Sequence, residues 1–231
     1  VHALHLVVRA LVGIEAQPRH AFEDDVHGGL RRTFDDGVLE GRRAEVVAVF
    51  CDLRGFTAFS ARAAPEEVMS VLAEYYEALG SIITKYAATL TSFSGDGLMV
   101  LVNAPVPVEE PALRAVDLAV EMQRSVQELI IGWRARGHRI GFGVGLAMGP
   151  ATVGRMGYES RFDYTAIGSV VNLAARLCAS AADQEILTDE KVAEAVKGRR
   201  TLTPLGPQPI KGYDEELPVF GVAQDEQPSA A

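Results

Sequence analysis

A short apolar run at residues 46–50 is the feature that most constrains how this chain can fold. A continuous apolar run of this length is typical of a β-strand that is buried on both faces of a sheet. Asp52 follows the run closely, so the strand places a carboxylate at its carboxyl end. The sequence Arg54-Gly55-Phe56-Thr57 comes next and predicts a tight turn.

A second carboxylate, Asp96, lies in a Gly-Asp-Gly turn between two β-like runs at residues 89–94 and 98–102. Two such runs around a turn of this kind predict a hairpin. Carboxylates at neighbouring strand ends could share divalent cations, and the backbone N–H groups of residues 54–57 could hold phosphate. The combination predicts a two-metal phosphoryl-transfer site, although each feature by itself is also typical of an ordinary turn.

Two long amphipathic helices are predicted in the same part of the chain. Pro65 and Pro111 each mark a helix start, and acidic residues lie beside both of them. Apolar residues then recur at spacings of three and four, as expected for helices with one buried face.

The remaining segments predict a strand at 139–148, a turn at Gly149-Pro150, a return strand at 151–156, a loop at 158–168, a helix at 170–178, a strand at 185–188, a helix at 189–196 and edge strands at 201–205 and 217–222. The order is therefore β-α-β-β-α-β with a β-α-β-type extension. This order predicts an α+β fold, a ferredoxin-like sandwich.

The chain divides into three parts by composition. Residues 1–43 predict an N-terminal helix and a polar connector that could transmit a signal, and residues 44–223 form the main domain. Residues 224–231 are polar and predict a disordered tail.

Charge and hydropathy exclude several classes of protein. The net charge of −9 argues against a nucleic-acid binder, which normally has a basic surface. No apolar run approaches the ~20 residues that span a bilayer. Cys51 and Cys178 lie in apolar segments without metal-ligand spacing, so we expect buried free thiols and a reducing, cytoplasmic compartment. The chain could be a fragment of a larger sensor protein.

Three further polar residues are candidates for phosphate and sugar chemistry. Asn172 and Arg176 are four residues apart, so they project from one face of an otherwise apolar helix. An Asn side chain can orient a sugar oxygen, and an Arg side chain can stabilise charge on a phosphoryl group. Lys211 is a candidate triphosphate contact. The alternative interpretation is a solvated helix face and an ordinary surface lysine.

Taken together, the segments FCDLRGFTAFS, FSGDGLMV, FDYTAIGSVVNLAARL and PIKGYDEELPVFGV resemble the catalytic domain of class III nucleotidyl cyclases. The resemblance extends over residues 44–222 and includes the order and spacing of the segments. It implies a homodimer with composite active sites at its interface. It also implies attack of the ribose 3′-hydroxyl of ATP on the α-phosphorus, with release of pyrophosphate and cyclic AMP.

The resemblance also assigns roles to individual residues. In one protomer, Asp52, Asp96 and the backbone carbonyl of Leu53 would hold two divalent cations, Mg²⁺ or Mn²⁺. The turn of Gly55, Phe56 and Thr57 would bind phosphate. The other protomer would supply Asn172 to the ribose, Arg176 to the transition state and Lys211 to the triphosphate.

Base recognition is where the sequence departs from the family pattern. Adenylyl cyclases of this family usually have a Lys four residues before the second metal-binding Asp, and typical guanylyl cyclases have a Glu there; this chain has Ser92. Thr165 resembles the soluble-type bacterial adenylyl cyclase subgroup, which has Thr in the purine pocket. We therefore expect ATP as substrate. The alternatives are GTP or low base specificity, a degenerate cyclase-like module that binds nucleotide and dimerises, and another ferredoxin-like phosphoryl-transfer domain.

Overall fold

The computed structural model describes residues 41–158 and 161–223, which form one sheet of eight strands with five helices. The strands are β1 (Arg42–Arg54), β2 (Thr89–Ser94), β3 (Gly97–Val102), β4 (Gly141–Tyr158), β5 (Arg161–Ile167), β6 (Glu185–Asp189), β7 (Leu202–Gln208) and β8 (Leu217–Val222). The helices are α1 (Phe56–Ser60), α2 (Pro65–Lys85), α3 (Pro111–Ala135), α4 (Ser169–Ser180) and α5 (Glu190–Ala195).

The strand order is β2-β3-β1-β4-β6-β8-β7, and β5 pairs with β4 outside this path. The first four positions are antiparallel neighbours and, with α2 and α3 as connections, they form the predicted ferredoxin-like β-α-β-β-α-β unit. β6 then adds parallel to β4, and β8 and β7 complete the extension. The predicted α+β class is confirmed.

The face of the sheet that contacts α2 and α3 forms the larger core. α2 begins with Pro65 and two glutamates in its first turn and has Lys85 in its last turn, which suits the helix dipole. The apolar stripe of α2 and that of α3 are buried against Val47, Val49 and their neighbours on the sheet. We call this side of the sheet the closed face.

The opposite face, which we call the open face, is covered in part by α4. Val46 and Ala48 alternate with the residues of the closed face and pack here with α4 residues such as Ala174. Gly145 lets this helix approach, because a Cβ atom at that position would overlap the backbone of Cys178. A glycine within a strand often marks such a close approach of other backbone.

The predicted turn at Gly149-Pro150 is wrong, and so is the predicted loop at 158–168. β4 continues without a turn through both residues, and Pro150 pairs with Glu45 of β1. The second half of β4 extends far enough to pair with β5, whose register runs from Thr152 with Ile167 outward. A local Gly-Pro pattern predicts a turn, but pairing with β1 keeps this segment extended.

The C-terminal strands of the sheet match the prediction only in part. β7 lies at an edge as predicted, whereas β8 lies between β6 and β7 and is not an edge strand. The predicted N-terminal helix and the predicted C-terminal tail lie outside the described residues. None of the described helices combines the length and the apolar character that a membrane-crossing helix requires.

Candidate active site

The carboxylates of Asp52 and Asp96 come together at the end of β1. Along β1 the side chains alternate, so Cys51 faces the closed face and Asp52 the open face. Cys51 pairs with Leu98, and this register brings Asp52 beside the β2–β3 turn. A Cβ atom at Gly97 would lie 3.6 Å from Asp52 Oδ1. The start of β3 therefore lies within van der Waals range of this carboxylate.

The electrostatics of the pair are those of two acids that share a small space. The pKa of Asp96 is raised to about 7, first by burial and then by its hydrogen bond to Asp52 and the charge of that carboxylate. A like charge at this distance disfavours ionisation of both groups at once. A bound cation would remove this conflict, since opposite charge nearby favours the ionised form.

The donor atoms at this position fit Mg²⁺ or Mn²⁺. Hard divalent cations prefer oxygen ligands, and Mg²⁺ is commonly bound by one or two carboxylates together with substrate phosphates. Asp52 and Asp96 supply two carboxylates, and Leu53 lies between Asp52 and the turn. Within residues 41–158 and 161–223, no three His, Cys, Asp or Glu side chains cluster as a metal cage. The remaining ligands would therefore come from the backbone, water and nucleotide.

The turn after β1 has a backbone that only glycine adopts easily. Gly55 has a φ of +78°, and a Cβ atom there would lie 2.9 Å from the carbonyl oxygen of Arg139. α1 begins directly after Gly55, so the N–H groups of Phe56 and Thr57 have no partner within the helix. These amides are available to an anion next to Asp52.

A cavity of about 800 Å³ opens beside this turn. Its lining contains Arg54, His138 and Arg139, and also Arg134, which is held by Asp183 at 3.0 Å. The lining has more basic than acidic side chains, although the chain as a whole is acidic. The positive lining extends the anion-binding character of the turn.

Asn172, Arg176 and Lys211 occupy a second region. Asn172 and Arg176 are exposed on α4, on the side turned away from the sheet. Lys211 is exposed in the loop between β7 and β8, where its neighbour Ile210 is buried. The Tyr213 hydroxyl donates a hydrogen bond of 3.0 Å to the carbonyl of Ser169, which ties this loop to the start of α4.

The structure thus separates the predicted site residues into two groups. In the described part of the chain, no hydrogen bond or ion pair joins Asp52 or Asp96 to Asn172, Arg176 or Lys211. The strands that contain the candidate base-reading residues lie against each other, because β2 contacts β5. Ser92 is exposed on β2 and Thr165 is half-buried on β5.

Sequence reasoning missed two side chains at the first group. Arg54 is bonded to Asp52, with 3.3 Å between Nη1 and Oδ2, and to the end of α4. Its spacing of two from Asp52 on a strand was a signal that both side chains share a face. The Tyr76 hydroxyl donates a hydrogen bond to the Gly95 carbonyl and so supports the turn that contains Asp96.

A family model described as the adenylate and guanylate cyclase catalytic domain matches residues 39–222. Adenylate cyclase 1 of Rhizobium meliloti (strain 1021) is 31% identical over 201 residues, which are 84% of this chain and 30% of that protein. An adenylate cyclase of Mycobacterium tuberculosis (strain ATCC 25618 / H37Rv) is 27% identical over 175 residues, 76% of this chain and 39% of that protein. The chain therefore spans only 30 to 39% of the length of these curated relatives.

Solved structures give the same fold. The adenylyl cyclase CyaB from P. aeruginosa is 30% identical and superposes with a TM-score of 0.78, over 84% of this chain and 100% of that one. The guanylyl cyclase Cya2 is 32% identical and superposes with a TM-score of 0.73, over 82% of this chain and 96% of that one.

Proposed function

This chain belongs to the adenylate and guanylate cyclase catalytic domain family, and we propose that it converts ATP to 3′,5′-cyclic AMP and pyrophosphate at a homodimer interface. The observation that supports this most strongly is the pair of Asp52 and Asp96. Burial, and then the neighbouring Asp52, raise the pKa of Asp96 to about 7, and a cation bound between the two acids would give them a chemical reason to be together. The similar adenylate cyclases support ATP as the substrate.

The metal-binding residues in this proposal are Asp52, Asp96 and the backbone carbonyl of Leu53. Two divalent cations, Mg²⁺ or Mn²⁺, would lower the pKa of the ribose 3′-hydroxyl and neutralise charge on the triphosphate. The protein's part is to hold the two carboxylates on the open face, where a nucleotide can reach them. Asp52 is 43% exposed, which supports this accessibility.

Phosphate binding falls to the turn and to one lysine. The N–H groups of Gly55, Phe56 and Thr57 lie at the helix start, have no intrahelical partner and would donate to phosphate oxygens. Lys211 would add a positive charge from the partner subunit. Both contacts would position the substrate for in-line attack, and neither involves a proton transfer.

Arg176 and Asn172 would act on the reacting atoms from the partner subunit. The Arg176 guanidinium would donate hydrogen bonds to the oxygens of the α-phosphoryl group as negative charge develops there. The Asn172 amide would orient the ribose. Both side chains are exposed and make no hydrogen bond within the described residues, which leaves them available to a second copy.

The homodimer has its own support in exposed apolar side chains. Phe93 on β2, Met156 on β4 and Ile167 on β5 are 40%, 36% and 58% exposed. β5 pairs with β4 and contacts β2, so the three strands lie in one part of the fold. Exposed apolar groups of this kind are typical of protein interfaces. We place the domain in the cytoplasm, because its substrate is available there and both of its thiols are free.

GTP is the second candidate substrate, because Ser92 does not select against it. A serine hydroxyl both donates and accepts hydrogen bonds, so it discriminates less between the two purines than a charged residue. The sequence identity to the guanylyl cyclase Cya2, 32%, is as high as the 30% identity to CyaB. ATP remains the first choice, because Thr165 resembles the Thr in the purine pocket of the soluble-type adenylyl cyclase subgroup.

The test is an assay of the purified protein with Mn²⁺ or Mg²⁺ and either ATP or GTP. We expect cyclic AMP from ATP, no product without the divalent cation, and less cyclic GMP from GTP. Higher turnover of GTP would replace the substrate assignment. Absence of product from both nucleotides, in protein that dimerises and binds nucleotide, would instead support a binding module without turnover.

A further inference from the structure

We propose that Arg54 is a positioning residue that links Asp52 to the carboxyl end of α4 and so connects the two composite active sites of the dimer. This inference rests on the proposed function, because it assumes that Asp52 and Arg176 of one chain serve different sites. Arg54 itself has no direct role in the proposed reaction.

The guanidinium of Arg54 contacts three groups at once. Nη1 lies 3.3 Å from Asp52 Oδ2, Nε donates to the carbonyl of Ala181 at 2.8 Å, and Nη2 donates to the carbonyl of Cys178. The Arg54 side chain is only 23% exposed. A planar group with five donors can hold such a set of acceptors in fixed geometry, and a lysine cannot.

The neighbouring strand leaves space for this side chain. Gly143 of β4 pairs with Asp52, and a Cβ atom at Gly143 would overlap the Arg54 guanidinium. Arg54 thus fills the position that a side chain on β4 would otherwise take. The glycine and the arginine fit each other, so the path of Arg54 across the sheet is built into both strands.

The bonds at the end of α4 are of the kind that stabilise a helix terminus. The last carbonyls of a helix have no intrahelical partner and are partially negative. Arg54 donates to the carbonyl of Ala181 and to that of Cys178, which also accepts from the amide of Ala181, and it places its positive charge at this end. Arg176 lies two residues before Cys178, so Arg54 holds the turn of α4 that presents Arg176 to the partner subunit.

In the proposed dimer, Arg54 contacts two parts of its chain that serve different active sites. In each chain, Asp52 belongs to one site and Arg176 to the other. Because Arg54 bonds both parts of the same chain, a change in the position of Asp52 at one site alters the support of α4 at the other. A loss of Arg54 should therefore affect both sites of the dimer, in different ways.

A heterodimer with one intact site separates the two effects. One chain has Arg176→Ala and supplies Asp52 to the intact site; the other has Asp52→Ala and supplies Arg176. Arg54→Met is then placed in either chain. In the Asp52-supplying chain we expect the half-saturating Mn²⁺ concentration to rise about tenfold; in the Arg176-supplying chain we expect kcat to fall about tenfold with an unchanged Mn²⁺ requirement. Unchanged kcat in the second case would overturn the link.

Arg200→Met is the matched control. Arg200 is similarly buried, with a side chain 24% exposed, and forms an ion pair of 2.7 Å with Asp117 away from the site. It should change neither parameter more than twofold. Arg54→Lys, which keeps the charge but loses the fork, should show the same two effects at smaller size. Equal losses of kcat from Arg54→Met in both chains, with no shift in the Mn²⁺ requirement, would indicate a merely structural role and contradict the proposal.

A measurement without catalysis keeps this inference separate from the proposed function. Hydrogen exchange of the wild-type homodimer and of Arg54→Met compares the amides of residues 176–182. We expect faster exchange there in Arg54→Met and no change in Arg200→Met. If the heterodimer makes no cyclic nucleotide, the proposed function fails while this readout still decides the role of Arg54. Unchanged hydrogen exchange at the end of α4 would overturn the proposed role of Arg54.

Discussion

The closed face of the sheet is covered by the apolar side chains of α2 and α3, whereas the open face is covered in part by α4 and presents Asp52 to solvent. Both faces come from the same strands, because alternate residues of β1 point to opposite sides. The contrast indicates that the closed face supplies most of the stability. The open face contains polar groups that are accessible to another molecule.

The largest expected effect is loss of activity from a change on the open face. Asp52→Asn keeps the side-chain shape but removes the charge and one ligand oxygen. We expect cyclic nucleotide formation to fall at least about 100-fold, with no decrease in the thermal midpoint. Glu128→Gln, an exposed change on α3, is the control and should leave both unchanged. More than a tenth of wild-type activity in Asp52→Asn would contradict the assignment of activity to the open face.

A matching change on the closed face should have the opposite profile. Trp133 is fully buried, and its Nε1 donates to Glu74 at 2.8 Å. Trp133→Ala should lower the free energy of unfolding by about 3–5 kcal/mol, because it leaves a cavity and an unpaired acceptor. Urea denaturation measures this loss. Ile131→Ala, at a side chain that is 69% exposed, should cost far less. Similar losses for both variants would show that the core is placed wrongly.

The buried carboxyl of Asp189 should make the free energy of unfolding depend on pH. Asp189 accepts hydrogen bonds from the amides of Val192 and Met148, and burial raises its pKa to about 6. The folded state therefore binds this proton more tightly than the unfolded state, and stability from this group falls as pH rises from about 4 to 6. Asp189→Asn should gain on the order of 2–3 kcal/mol relative to wild type over that range. Denaturation at several pH values measures the difference, which a pH-independent result would contradict.

The smallest effect is expected at an exposed ion pair on the helices. Lys85 lies 2.7 Å from Glu121, but its side chain is 61% exposed. Water screens such a pair, so Lys85→Ala should change the free energy of unfolding by no more than about 0.5 kcal/mol. Denaturation under the same conditions gives this value. A loss above ~1 kcal/mol would mean that the surface of the closed-face helices contributes more than we infer.

Local patterns were sufficient to predict much of the fold. The hairpin around Asp96 was predicted at almost its observed bounds, because its two apolar runs flank a turn with two glycines. The helices that begin at Pro65 and Pro111 follow equally local signals. Element order then led to the correct ferredoxin-like arrangement.

The long β4 and β5 could not be predicted in the same way. Gly149-Pro150 looks like a turn, yet β1 is remote in sequence and holds this segment extended. β5 alternates buried Ala166 with exposed Ile167, and its pairing depends on how far β4 continues. Arg54 likewise meets its acceptors on α4 only through the tertiary fold, more than 120 residues along the chain.

The grouping of site residues shows the same limit. Sequence spacing suggested that Asn172 and Arg176 share a helix face, and the structure places both on the exposed side of α4. Their role toward a second copy remains a prediction, since it depends on an interface between two chains. That interface is the central claim of the account.

The most direct test mixes two inactive variants, Asp52→Ala and Arg176→Ala. Each homodimer lacks one required side chain at both sites and should form almost no cyclic nucleotide. Random mixing of equal amounts gives heterodimers with one intact site, so we expect about a quarter of wild-type activity to return. If the mixture shows no more activity than the two variants measured apart, the shared active site is contradicted.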